Sequence, residues 1–97
     1  MSNMIDRLYA AYNPSTPSDV LARLAEDEDV VVRVGVAKNH YAPPYVLRKL
    51  ADDGSAAVRD VVARNKSTPP DALARLVEDS DERVRNSAAR NPSTPNK

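Results

Sequence analysis

The frame that begins at Asn13 begins again at Asn39, at Asn65 and at Asn91, with 26 residues between successive starts. Repetition at a period of roughly 20–50 residues is the mark of a solenoid, in which each unit buries its apolar face only against its neighbours. The period divides the chain into a half unit (1–12), three full units (13–38, 39–64 and 65–90) and the start of another (91–97), read together as a single repeat domain, 1–97. The half unit stays in register. Arg7 aligns with Arg33, Arg59 and Arg85, and Ala11 with Ala37, Ala63 and Ala89, so the array opens on the second half of a repeat.

Within each unit the pattern predicts two short helices. In the first full unit Asn13 to Pro17 is a turn, because proline suits the first turn of a helix and Ser and Thr are good N-caps. The first helix then starts near Thr16 or Ser18 and runs to about Ala25. Glu26 to Asp29 interrupts the apolar pattern and places acids at the positive end of a second helix, Val30 to Lys38. Taken alone, Val30 to Val36 reads as a strand, with β-branched residues in near alternation. The segments in register, Ala56 to Val62 and Glu82 to Ala88, do not, and a repeat array keeps one structure per column. The expectation is therefore all-α: a short solenoid of three two-helix units behind an N-terminal capping helix. The tail from Asn91 is expected to pack on the last unit and then fray.

The columns sort into core and surface. Leu21/Leu47/Leu73 and Leu24/Leu50/Leu76 form the core of the first helices. Val32/Val58/Val84 and Val36/Val62/Ala88 lie at i and i+4 of the second. The absence of Phe and Trp fits thin, closely stacked helices. The Asn13/Asn39/Asn65/Asn91 column reads as helix C-capping, since Asn tolerates the left-handed conformation common there and its amide can also bond the next turn. Arg33, Arg59 and Arg85 form one basic row, and Lys38, Arg64 and Arg90 another. Both are candidates for an anion or nucleic-acid strip. The alternative is pairing with the equally regular Asp27/Asp53/Asp79 column. A strip meant for phosphate has little use for built-in neutralising partners, and the formal net charge is zero, so pairing is the favoured reading.

Catalytic constellations are missing. There is no cysteine, and the one histidine, His40, has no second ligand at metal spacing. Gly35 and Gly54 stand apart and make no phosphate loop. Neither a metal nor another cofactor is expected. The first residues hold no long apolar run, so neither a signal peptide nor a membrane span is expected, and the lack of cysteine fits a reducing cytoplasm.

Departures from the repeat carry more information about function than the repeat does. Val30 and Val34 stand where later units place Ala56 and Asp60, then Glu82 and Asn86, and the capping helix places Met4 and Leu8 there, with Tyr12 completing the row. All four tyrosines, Tyr9, Tyr12, Tyr41 and Tyr45, fall in the same half of the chain. Apolar patches with tyrosine mark protein interfaces. Met4, Leu8, Tyr12, Val30, Val34, Tyr41 and Tyr45 are thus the candidate interface. The alternative is that they seal the open end of the array.

The order Asn13-Pro-Ser-Thr-Pro17, Leu21 to Ala25, Asp27, Val32-Arg33 and, at the end of the last unit, Ala89-Arg90-Asn91-Pro92 resembles the leucine-rich repeat variant family, and more loosely HEAT-like repeats. The resemblance covers about Asp6 to Pro95. It implies a right-handed superhelix of two helical layers, one of which is often 3-10. It also implies a setting in bacteria or their phages, and it carries no shared activity. Some members bear a cysteine-rich iron–sulfur segment, which this cysteine-free chain does not carry over. The expectation is a non-enzymatic scaffold that binds a protein partner or a second copy of itself. Nucleic-acid binding through the two basic rows is the second reading.

Overall fold

The computed structural model describes residues 3–95, which form seven α-helices: α1 (Met4–Tyr12), α2 (Ser18–Leu24), α3 (Val30–Lys38), α4 (Pro44–Leu50), α5 (Ala56–Arg64), α6 (Pro70–Leu76) and α7 (Glu82–Arg90). Long and short helices alternate. The long helices α1, α3, α5 and α7 stack on one another in a row, and each short helix wedges between two consecutive long ones. The result is an elongated two-layer array of 42 × 22 × 16 Å.

Val30 to Val36 is helical, as the columns require and against its own β-propensity. A strand needs a partner edge, and none exists among the described residues. As a helix the segment instead buries Val32 and Val36 completely between α1 and α5. Asp29 starts it by accepting from the Val31 N–H at 3.0 Å. Asp81 does the same for α7, whereas Ser55 makes no side-chain cap on α5.

The first short helix begins at Ser18, within the expected bounds, but the short helices are capped differently from the expectation. The residue at each N-cap is a proline, Pro17, Pro43 or Pro69, in extended conformation and with no side-chain cap bond. Thr16 and Thr68 do not cap forward. Their hydroxyls donate back to the carbonyls of Ala10 and Val62 at 2.6 and 2.7 Å, so they close the preceding long helix. Thr94 repeats this bond on Ala88. The short helices are α-helical, not 3-10. Their leucines, Leu21, Leu24, Leu47, Leu50, Leu73 and Leu76, all lie in the core. The expected fraying of the tail falls on Asn96 and Lys97, outside the described residues.

The asparagine column caps helices by another route than the one expected. Asn13, Asn39, Asn65 and Asn91 have φ between −75° and −70° and extended ψ, so none is left-handed. The side chain does the work instead. Asn65 Nδ2 donates to the carbonyls of Ala37 and Asn39 at the end of α3, the preceding long helix, at 2.8 and 3.2 Å. Its Oδ1 accepts from the Ser67 N–H at 2.8 Å. Asn39 does likewise toward Ala11 and Asn13, and Asn91 toward Ala63 and Asn65. Helix ends that would leave carbonyls orphaned are thus capped by the asparagine that ends the next long helix, which couples neighbours through buried bonds.

Candidate interaction surface

The first basic row is internal to the array. Arg7, Arg33 and Arg59 donate Nε to Asp27, Asp53 and Asp79 of the following unit at 2.7, 2.9 and 2.9 Å. Arg33 and Arg59 also donate Nη1 to the backbone carbonyls of Asp27 and Asp53 at 2.8 Å. Each aspartate is further held by a backbone N–H two residues on, as Asp79 is by Asp81 at 2.9 Å. Burial works against the charge on Asp79, but the Arg59 hydrogen bond, the Asp81 N–H and the charges of Arg59 and Arg85 outweigh it, so its carboxyl sits below the usual range. The same Asp79 bond raises the pKa of Arg59. Arg85 keeps the backbone half of the pattern, with Nη1 on the carbonyl of Asp79 at 2.8 Å, and meets no carboxylate among the described residues. Two of the three candidate strip arginines in this row, Arg33 and Arg59, are thus engaged.

The second basic row faces outward. Lys38, Arg64 and Arg90 end α3, α5 and α7 and are all exposed. Arg64 leans on Asp60 of its own helix at 3.2 Å, while Lys38 and Arg90 have no acidic partner among the described residues. Between the long helices this row borders shallow clefts of ≈ 220 and ≈ 210 Å³. One is lined by Lys38, His40, Val61, Arg64 and Asn65, and the next, one unit on, by Arg64, Ser87, Arg90, Asn91 and Pro92.

At the N-terminal end the row changes character. Tyr12 occupies the register position of Lys38, Arg64 and Arg90. Its ring lies over Gly35, where a Cβ would stand 3.0 Å from Tyr12 Cε2 and 2.9 Å from Ala11 Cβ. The missing side chain at Gly35 therefore allows α1 to approach α3 closely, a use that nothing in the repeat columns indicated. Beside it Tyr9, Tyr12, Asn13 and Pro14 form an open hollow.

The expected patch is only partly a surface. Met4, Tyr12, Val30, Tyr41 and Tyr45 are exposed, but Leu8 and Val34 are half-buried and Val34 packs on the core. Val34 therefore belongs in part to the stacking. Two residues outside the expected set are more open: Ile5 at 75% and Tyr9 at 72%. In register they match Val31 and Gly35, whose side of α3 faces α1. On α1 that side has no preceding helix to cover it among the described residues. Extending the register one step before α3 would have found them.

Stacked helix pairs, tied unit to unit by buried asparagines and arginine–aspartate bonds, define a short α-solenoid scaffold. Among the described residues no cluster of three or more His, Cys, Asp or Glu is placed to hold a metal ion, and no helix is long and apolar enough to cross a membrane. The family model described as leucine rich repeat variant matches residues 7–29, from within α1 through the turn before α3. No curated protein and no solved structure matches the chain.

Proposed function

We propose that this solenoid is a non-enzymatic scaffold that binds another protein through its N-terminal end, where self-association is one form the contact takes. The observation that carries the reading is the uncovered side of α1: Ile5 and Tyr9 are about three-quarters exposed, with Met4 and Tyr12 beside them. Four large apolar side chains gathered on α1 are a costly surface to leave in water, and aromatic residues of this kind dominate contact energies. Val31, Tyr41 and Tyr45 extend the apolar character into the next unit.

Ile5→Ser/Tyr9→Ser tests it. These side chains are exposed, so the fold is expected to survive, as circular dichroism would show. Light scattering and affinity capture from the source cell are compared for wild type and variant. The reading expects either a dimer or a specific captured protein that the variant loses. A monomer that captures the same proteins with and without the substitutions overturns it. The second reading, nucleic-acid binding, loses support for Arg33 and Arg59, whose guanidinium groups are held by aspartates of the array.

A further inference from the structure

We infer that Tyr12, Lys38, Arg64 and Arg90 form a continuous track for an extended acidic segment of a partner protein, with an apolar residue of that segment seated in the hollow of Tyr9 and Tyr12. The inference rests on the reading above, in that the tyrosine surface is one end of the track, and it adds the chemistry of the partner. Three observations support it. The four residues occupy one register column, one per long helix, so they run in line along the stack. The cations in it are exposed, and the only acidic contact among them is the Arg64–Asp60 pair within one helix turn, of a kind that contributes little and is easily exchanged. The two clefts at Lys38–Arg64 and Arg64–Arg90 repeat one unit apart and give the segment places to lie, while the first member of the column is aromatic and borders an apolar hollow.

Spacing decides between polyanions. Stacked helices stand about 8–10 Å apart, so the track offers one cation at about that interval. A segment in the extended polyproline II conformation advances about 3.1 Å per residue with three residues per turn, so a carboxylate at every third residue stays on one side and matches the column. A nucleic-acid strand carries a phosphate at about every 3.4 Å along the duplex axis, which would leave most of its charges unmet here. The zero net charge of the chain points the same way.

The test is fluorescence anisotropy at low salt with a labelled decapeptide of one phenylalanine followed by three glycine-serine-glutamate triplets. Controls are a peptide of the same composition with the glutamates adjacent, and a single-stranded oligothymidine of ten nucleotides. The proposal expects saturable binding of the spaced peptide, weakened about tenfold or more by Lys38→Glu/Arg64→Glu/Arg90→Glu and severalfold by Tyr9→Ser/Tyr12→Ser. The peptide with adjacent glutamates binds more weakly. Loss with the tyrosine variant alone overturns the track and leaves the tyrosine surface standing. Loss with charge reversal alone overturns the aromatic anchor and, with it, the proposal. No saturable binding of the spaced peptide, or indifference to both variants, overturns it as well. Tighter binding of the oligonucleotide than of the peptide replaces it with nucleic-acid recognition.

Discussion

Arg33 reaches the carboxylate of Asp53, twenty residues ahead, and only the backbone carbonyl of Asp27, six residues behind. One guanidinium thereby joins the inter-helix turns of two successive units. Both side chains are mostly buried, at 20% and 9% exposure. Such a bond carries information about the neighbour as well as stability, because it forms only when the next unit is stacked in register.

Removing Arg59 should therefore cost more than removing Arg85. Arg59→Ala strands the Asp79 carboxylate, which is 9% exposed, and is expected to lower stability by about 2–3 kcal/mol. Arg85→Ala removes bonds to carbonyls alone and is expected to cost about 1 kcal/mol. Urea denaturation of both variants checks the order. Equal losses would mean that the carboxylate bond contributes nothing to the junction.

The asparagine column offers a second internal comparison. Asn65→Ala leaves the carbonyls of Ala37 and Asn39 and the Ser67 N–H without their partner in a buried setting, at an expected cost of about 2–3 kcal/mol. Asn13 is half-buried, and among the described residues its side chain only accepts from the Ser15 N–H and bridges to no earlier helix. Asn13→Ala is expected to lose about 1 kcal/mol or less. Thermal unfolding of the pair would show the difference. A loss at Asn13 as large as at Asn65 would contradict the bridging role.

These comparisons mark where sequence reasoning stopped. The 26-residue period and the leucine and valine columns located the helices and the core, because periodic burial leaves a periodic record. The same period made the arginine–aspartate pairing legible, since the two columns matched unit for unit. Direction was not legible: that Arg33 takes Asp53 and not the side chain of Asp27 depends on how far one turn overhangs the next. The asparagine conformation was missed because a side-chain bridge to the preceding long helix and a left-handed cap call for the same residue. Ile5 and Tyr9 were missed because their columns hold Val31 and Gly35, on the side of α3 that faces α1, whereas no helix among the described residues covers that side of α1.

Gly35 is the place where a single methyl group should register. In Gly35→Ala the new Cβ would stand 2.9 Å from the Cβ of Ala11, which is fully buried on α1 and has no rotamer to yield. Helix propensity favours the substitution by about 1 kcal/mol, and overpacking opposes it by about 1–3 kcal/mol. The expected result is a net loss for alanine and a larger one for Gly35→Val, measured by urea unfolding, with α1 displaced. Adding Tyr12→Ala should restore little, because the contact with Ala11 remains. A stabilised Gly35→Ala would show that α1 shifts at no cost.

Acid should loosen the array through its aspartates. Although burial opposes its charge, Asp79 has a lowered carboxyl pKa because the Arg59 bond and the Asp81 N–H prevail. The unfolded chain then takes up the proton first, near the ordinary aspartate value of about 3.9, so the contribution is complete above that pH and is lost as pH falls through the lower folded value. Exposed Asp71, lowered mainly by its Arg48 hydrogen bond, follows the same sign. Stability should thus stay level from neutral pH to about 5 and decline below about 4. Asp79→Asn removes one source of that decline. Its deficit against wild type, read from urea midpoints, should be largest at neutral pH and shrink toward pH 3, where wild-type Asp79 begins to lose its charge as well. Parallel curves for the two proteins over the whole range would show that the Asp79 charge plays no part in holding the last two units together.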